Sequence, residues 1–219
     1  MRPELRISED GSSTLYRADM NEHYHSFHGA IQESMHVFIE AGLRHLVSKS
    51  DLYVLEVGFG TGLNALLTMI NNPGSIIKYH GIEKFPVPLD LAAEINFPEI
   101  LGGQQVASWY NTMLKSEWQK AVQINDDFIL TKFEIDLCDF SSNTLYDLVY
   151  FDAFAPDKQP ELWTDSVFDN IFNMMAPGAI LTTYSAKGSV RRSMQRAGFI
   201  VERIPGPPGK REMIRAVKE

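Results

Sequence analysis

Residues 54–64 read Val-Leu-Glu-Val-Gly-Phe-Gly-Thr-Gly-Leu-Asn, and this stretch decides the fold. A β-like run over 52–57 ends in glycines at alternate positions, 58, 60 and 62, and a helix-like run over 63–70 follows directly. A strand, a glycine turn and a helix in this order hold a nucleotide-like cofactor over the carboxyl end of a parallel sheet. Glycine is needed because the backbone turns tightly and the ligand approaches where a Cβ would stand.

The spacing of the glycines narrows the choice of cofactor. The order is G-x-G-x-G with Glu56 two residues ahead of Gly58, not the G-x-G-x-x-G of dinucleotide sites, and it resembles motif I of S-adenosylmethionine-dependent methyltransferases. Glu83 follows Gly62 by 21 residues and ends a second β-like run over 76–82, where an acid can accept both ribose hydroxyls. A structural glycine turn with a solvated acid is the weaker interpretation, because the two features occur together.

Composition predicts one globular domain over 1–219, with 1–48 as an arm and helix packed on it. The chain has 44% hydrophobic and 22% charged residues, which is ordinary for such a domain. It contains no run of about 18 apolar residues, and residues 1–6 lack the apolar core of a signal peptide. A single cysteine, Cys138, excludes an intramolecular disulfide. These features predict a cytoplasmic protein without a membrane partner.

Strand-like and helix-like runs alternate along the chain. The spacing of apolar residues predicts the helices, and Asn125-Asp-Asp127 predicts a β-hairpin between 122–124 and 128–135. We expect an α/β, Rossmann-like class I methyltransferase fold: a mostly parallel seven-stranded sheet, helices on both faces and a closing antiparallel strand pair over 199–203 and 213–217. Helices are predicted over 29–47, 63–70, 86–96, 98–120, 161–175 and 187–197.

Asp152 directly follows the buried-type strand 148–151, where residues face the ligand in such sheets. The pattern Asp152-Ala-Phe154-Ala-Pro156 resembles the acid, aromatic and proline that amino-methyltransferases place over the methyl donor. Methyl transfer to an amine depends on positioning and on a free lone pair, and a carboxylate can orient the N–H bonds and accept a proton. We therefore predict that Asp152 is catalytic and that Phe154 forms a pocket wall. The alternative is that Asp152 caps the following turn.

Two acids compete for the adenine end of the cofactor. Asp139 ends the hairpin strand and can accept from the adenine amino group, Asp136 is its rival, and strand parity leaves both open. Cys138 lies between them and is expected to be a buried structural cysteine, since nothing flanking it indicates an activated nucleophile.

Three histidines, at 23, 25 and 28, lie close together near the amino terminus. Zinc sites usually show paired ligands with better spacing, completed by cysteine or acid. We expect surface or arm histidines and assign no metal, with a metal site as the lesser alternative.

Charge is distributed unevenly. Residues 187–219 carry nine Lys or Arg and three acids, whereas the chain as a whole has a net charge of −8. A basic end on an acidic body is typical of a phosphate-binding face, although a solvated helix and hairpin would show the same pattern.

Taken together, these motifs resemble the methyltransferase half of the bifunctional bacterial enzyme that completes 5-methylaminomethyl-2-thiouridine at the wobble position of tRNA. The resemblance covers nearly the whole chain, and the segments 152–164 and 209–213 are the most particular to that family. The similar segments are 37–42, 56–64, 83–86, 152–164, 185–192 and 209–213.

The resemblance implies methylation of the primary amine of a 5-aminomethyl(-2-thio)uridine in tRNA, with S-adenosylmethionine as methyl donor. It assigns the amine-facing role to Asp152, next to the predicted pocket wall at Phe154. The cofactor residues expected are Glu56, Gly58, Phe59, Gly60, Thr61, Gly62, Asn64, Glu83, Lys84 and Asp139. The tRNA contacts expected are Pro156, Lys187, Arg191, Arg192, Lys210 and Arg211.

The chain also departs from that family. A flavin oxidase domain follows in the bifunctional enzyme, whereas this sequence stops at Glu219, so we expect no FAD and an amine precursor made by other enzymes. Where the family has an acidic pair before an aromatic residue, this chain has Asn21-Glu-His-Tyr24. Two alternatives therefore remain: the same fold methylating a small-molecule or protein amine, and a cofactor-binding module without catalysis.

Overall fold

The computed structural model describes residues 2–46 and 49–219, and the glycine turn lies at the centre of its main sheet. Within the described residues this sheet has eight strands in the order β10-β11-β9-β8-β4-β5-β7-β6. The five central strands, β9, β8, β4, β5 and β7, run parallel to one another. At the two sides of this group, β6 pairs antiparallel with β7 and β11 pairs antiparallel with β9. The strands are β4 (Asp51–Val57), β5 (Ile76–Glu83), β6 (Ala121–Asn125), β7 (Phe128–Glu134), β8 (Tyr146–Phe151), β9 (Met175–Thr183), β10 (Ile200–Pro205) and β11 (Glu212–Val217).

The mostly parallel sheet and the closing strand pair are confirmed, but the count of seven strands is wrong. The eighth strand is β6, the outer half of the correctly predicted hairpin, which pairs with β7 and extends the sheet by one strand. A second, three-stranded antiparallel sheet forms the amino terminus, from β1 (Glu4–Ile7), β2 (Ser13–Arg17) and β3 (Glu22–His23).

Helices cover both faces of the main sheet because its strands are apolar on both sides. In β4, Leu52 and Val54 pack into one hydrophobic cluster, and Leu55 and Val57 pack into the other. The first cluster holds side chains of α1 and α2 and the second those of α6 and α7. The helices are α1 (Ala30–Ser34), α2 (Leu63–Ile70), α3 (Leu89–Ala92), α4 (Phe97–Leu101), α5 (Gly103–Lys115), α6 (Asp165–Asn173) and α7 (Gly188–Arg196).

Several helices are shorter than the apolar spacing predicts. The run over 29–47 is divided into α1, a π-helical turn (Met35–Glu40) and a 3-10 turn (Leu43–His45), and residue 47 lies outside the described part of the chain. The run over 98–120 breaks between α4 and α5 at Gly102, whose φ of 148° no other residue adopts easily. The run over 86–96 is helical only in α3.

No helix among residues 2–46 and 49–219 is both long and apolar enough to cross a membrane.

Candidate active site

A cavity of about 460 Å³ opens at the carboxyl ends of β4, β5 and β8, in the size range of small-ligand sites. The glycine turn and Glu83 form one part of its wall, and Asp152 and Phe154 form another. The amino-terminal part of the chain also lines the cavity, with residues that the sequence did not place there: Arg17, Glu22, Tyr24, His25 and Glu33.

The glycine turn brings the ends of β4 and β8 into contact. Gly58 has a φ of 84°, and a Cβ at this position would stand 2.5 Å from the carbonyl oxygen of Asp152. A Cβ at Gly60 would stand 3.2 Å from the ring of Tyr24. These two positions therefore need glycine for the close approach that builds the cavity wall.

Glu83 is held by the glycine turn itself. Its Oε2 accepts from the N–H of Gly60 at 3.0 Å and its Oε1 from the N–H of Phe85 at 2.9 Å. Burial raises the pKa of this carboxyl, and the backbone hydrogen bonds oppose that rise. A carboxylate has about four acceptor sites, so each oxygen of Glu83 keeps capacity for a ligand hydroxyl.

Buried hydrogen bonds link Glu56, the acid ahead of the glycine turn, to Asp152, the predicted catalytic carboxylate. The Nδ2 of Asn64 donates to Glu56 Oε1 at 2.9 Å and to Asp152 Oδ2 at 2.8 Å. The hydroxyl of Tyr79 donates to Glu56 Oε2 at 2.8 Å. Burial raises the pKa of Glu56 well above its usual value. Asn64 and Glu56 thus orient Asp152, a role that the sequence did not indicate.

Asp152 combines the properties of a base that works near neutral pH. Burial raises its pKa to about 7, although the hydrogen bond from Asn64 and the charge of Lys210 lower it and the charge of Glu33 raises it. A general base is most effective when its pKa lies near the working pH.

The loop after Asp152 is fixed by its own hydrogen bonds. The N–H of Phe154 donates to Gln159 Oε1 at 3.1 Å, and the indole N–H of Trp163 donates to the carbonyl of Phe154 at 2.9 Å. The ring of Phe154 meets that of Tyr24 edge to face, with centroids 5.2 Å apart. Phe154 is therefore a rigid wall of the cavity, where the motif predicted it.

The predicted adenine acids lie in different places. Asp136 lines the cavity and accepts from Lys84 Nζ at 2.6 Å. Asp139 lies outside it, beside a separate shallow pocket. Cys138 is exposed, so the expectation of a buried cysteine is wrong. It lies in a 3-10 turn (Leu137–Asp139) in which Leu137 takes the buried position.

His25 is part of the cavity wall, while the sequence suggested only a surface or arm histidine. Its Nε2 lies 3.2 Å from the hydroxyl of Thr61, and burial lowers its pKa to about 4, so the ring is neutral at physiological pH. Among residues 2–46 and 49–219, no three His, Cys, Asp or Glu side chains are grouped so as to hold a metal ion.

The predicted tRNA contacts differ in exposure and in their partners. Arg192 and Arg211 are exposed, Arg191 is half-buried, and Pro156 is half-buried beside the cavity loop. Lys187 forms an ion pair with Asp157. Lys210 turns into the cavity, where its Nζ lies 2.6 Å from Glu33 Oε2.

Comparison with known proteins decides what kind of enzyme this cavity belongs to. A profile of the S-adenosyl-L-methionine-dependent methyltransferase family Methyltransf_30 matches residues 104–219, about half of the chain. The chain belongs to this family. The predicted family resemblance and fold class are confirmed for this methyltransferase.

Its curated relatives are longer proteins. It is 30% identical over 210 residues to the tRNA 5-methylaminomethyl-2-thiouridine biosynthesis bifunctional protein MnmC of Campylobacter hominis, with 92% of this chain and 31% of the relative covered. For MnmC of Ectopseudomonas mendocina the identity is 32% over 206 residues, with 87% and 31% covered. The methyltransferase spans about a third of the length of these relatives.

Solved structures support the same relationship. MnmC2 of Aquifex aeolicus superposes with a TM-score of 0.78 at 27% identity, covering 98% of this methyltransferase and 70% of that chain. An O-methyltransferase-like protein of Nostoc punctiforme, with a TM-score of 0.50 and 14% identity over 80% of this methyltransferase and 55% of that chain, shows the fold alone.

Proposed function

We propose that this methyltransferase transfers a methyl group from S-adenosylmethionine to the primary amine of 5-aminomethyl(-2-thio)uridine at the wobble position of tRNA. The observation that carries the proposal is Asp152, a carboxyl with a pKa of about 7 that lines the cavity beside the glycine turn. The MnmC relatives, whose names specify 5-methylaminomethyl-2-thiouridine, support the choice of acceptor.

The cavity fits S-adenosylmethionine. Glu83 would hold the ribose hydroxyls, because its two oxygens are fixed by the backbone and still have free acceptor sites. The glycine turn lets a ligand approach the backbone at Gly58 and Gly60. Asp136 rather than Asp139 would face the adenine, because only Asp136 lines the cavity. When bound, S-adenosylmethionine supplies an electrophilic methyl group on a sulfonium sulfur.

Asp152 would orient the acceptor amine and accept the proton that its nitrogen loses when the new N–C bond forms. At pH 7 about half of the Asp152 carboxyls are ionised, since the pKa is about 7, so the base is available without being strongly basic. Phe154 and Tyr24 would exclude water from the reacting atoms, because their rings form one continuous wall. Positioning of this kind contributes much of the acceleration in an in-line displacement.

Binding of tRNA would involve the exposed Arg192 and Arg211, and the half-buried Arg191 that precedes Arg192 in α7. Contacts of these guanidinium groups with phosphates predict an affinity that falls with salt, by about 0.9 in log–log slope for each phosphate neutralised on a duplex. The enzymes that make the aminomethyl group would act before this step.

The test is methyl transfer from labelled S-adenosylmethionine to bulk tRNA from cells that lack this protein, followed by nucleoside analysis. Label in a 5-methylaminomethyl-type uridine, lost with Asp152→Asn, supports the proposal. Turnover with small or protein amines and none with tRNA would refute the tRNA substrate. Cofactor binding without any transfer would indicate a non-catalytic module.

A further inference from the structure

Lys210 does not behave as a surface lysine. It lies in the turn between β10 and β11, and its backbone N–H donates to the carbonyl of Pro207 at 2.9 Å. Its side chain is 35% exposed and points to Glu33 of α1, 177 residues away in the sequence. Charge along the sequence placed Lys210 with the phosphate contacts, whereas the fold places its ammonium group in the cavity.

Two contacts hold that ammonium group. Glu33, whose side chain is only 12% exposed, accepts from Lys210 through Oε2 at 2.6 Å, and its Oε1 accepts from the N–H of Ser26 at 3.3 Å. Lys210 Nζ also lies 4.0 Å from the centroid of the Tyr184 ring, a cation–π distance. An ammonium has three N–H donors, so one remains after Glu33 and the ring are satisfied.

The same group is tied to the predicted base. The Tyr184 hydroxyl donates at 2.8 Å to the carbonyl of Ala153, the residue after Asp152. Asp152 and Lys210 line the same cavity, and the positive charge of Lys210 lowers the pKa of Asp152 against the larger effect of burial. The cavity therefore presents a hydrogen-bond acceptor, Asp152, together with a hydrogen-bond donor, Lys210.

We propose that Lys210 recognises the uracil of the methyl acceptor. Glu33 holds the Lys210 ammonium group over the Tyr184 ring, and this group donates a hydrogen bond to the uracil carbonyl oxygen that neighbours the amine bound by Asp152. This inference rests on the proposed function. A uracil with an aminomethyl group on C5 carries a donor, the amine, beside an acceptor, the C4 carbonyl, and this is the complement of Asp152 and Lys210. A simple alkylamine has the donor without the neighbouring acceptor. Glu33 is then a positioning residue, because it acts through Lys210.

The test compares Lys210→Met with Glu33→Gln and with Arg211→Met, the last serving as the example of a phosphate contact. Methyl-transfer kinetics on tRNA and the salt dependence of tRNA binding are measured for each variant, with S-adenosylmethionine affinity as the check on folding. Lys210→Met is expected to lower kcat/KM about 10- to 100-fold, the effect of one lost hydrogen bond from a charged donor, with the salt slope unchanged. Glu33→Gln should lower kcat/KM in the same way. Arg211→Met should reduce the salt slope by about 0.9.

A drop of about 0.9 in the salt slope for Lys210→Met, with kcat retained, would make Lys210 a phosphate contact and overturn the inference. Full activity of Glu33→Gln would remove Glu33 from the positioning role. Wild-type protein that transfers no methyl group to tRNA would refute the proposed function instead, and this result is seen before any variant is compared.

Discussion

The hydrogen bond from Asn64 to Asp152 sets the pH at which the proposed base is ionised. Asn64→Ala removes the N–H group that lies 2.8 Å from Asp152 Oδ2. A hydrogen bond to a charged group stabilises it by about 1.5–3 kcal/mol, and 1.36 kcal/mol corresponds to a tenfold change in the ionisation constant. The pKa of Asp152, about 7 in the wild type, should therefore rise to about 8–9.

The ionised carboxylate of Asp152 is the active form, so activity rises as the pH increases through the pKa of Asp152. Asn64→Ala therefore needs a higher pH to reach the same ionised fraction. At pH 7 the ionised fraction falls from about one half to less than about one tenth, and kcat/KM should fall about fivefold or more. The assay is the pH profile of kcat/KM for methyl transfer, whose rising limb reports this ionisation.

Thr68→Val is the matched control, because Thr68 is buried one turn further along α2 and its hydroxyl donates to the carbonyl of Asn64 at 2.7 Å without contacting either acid. It should change stability and leave the rising limb in place. If the rising limb of the pH profile is unchanged in Asn64→Ala, while S-adenosylmethionine affinity is retained, then the hydrogen bond from Asn64 does not set the pKa of Asp152.

Three further outcomes are expected. The folded-state pKa of Asp152 is raised to about 7, so its contribution to the free energy of unfolding is complete below about pH 4, and up to about 4 kcal/mol of it is lost as the pH rises to about 7. In urea unfolding, Asp152→Asn should therefore be more stable than the wild type at pH 8 but not at pH 4. A gain in stability that is independent of pH would contradict this. Gly58→Ala should lower the free energy of unfolding by more than Gly74→Ala, because both glycines have positive φ and only Gly58 has a backbone atom within 4 Å of the added Cβ; equal losses would contradict the close approach. Glu83→Gln should weaken S-adenosylmethionine binding about tenfold or more in calorimetry, and unchanged affinity would remove Glu83 from the cofactor site.

Local sequence predicted the parts of the site that follow strands directly. Gly58, Glu83 and Asp152 each come at or just after the end of a strand, and parallel strands bring their carboxyl ends to one edge of the sheet. Glycine spacing and the acid positions were therefore enough to place these residues around one cavity.

Local sequence was less informative about helix lengths and about single side chains. Apolar spacing does not show that Gly102 divides one predicted helix into α4 and α5. Leu137 and Cys138 are adjacent and both suited to a core, and only packing decided which one is buried.

The sequence by itself determined the fold class, the glycine turn with its two acids, and the position of Asp152 at the carboxyl end of a strand of the main sheet. Only the tertiary structure decided that Tyr24 and Glu33 line the cavity, that Asn64 orients Asp152, and that Lys210 turns inward. The physical reason is that these contacts join residues far apart in the chain. Periodicity reports which face of an element is buried, whereas the partner that each side chain meets depends on how the sheet brings distant elements together.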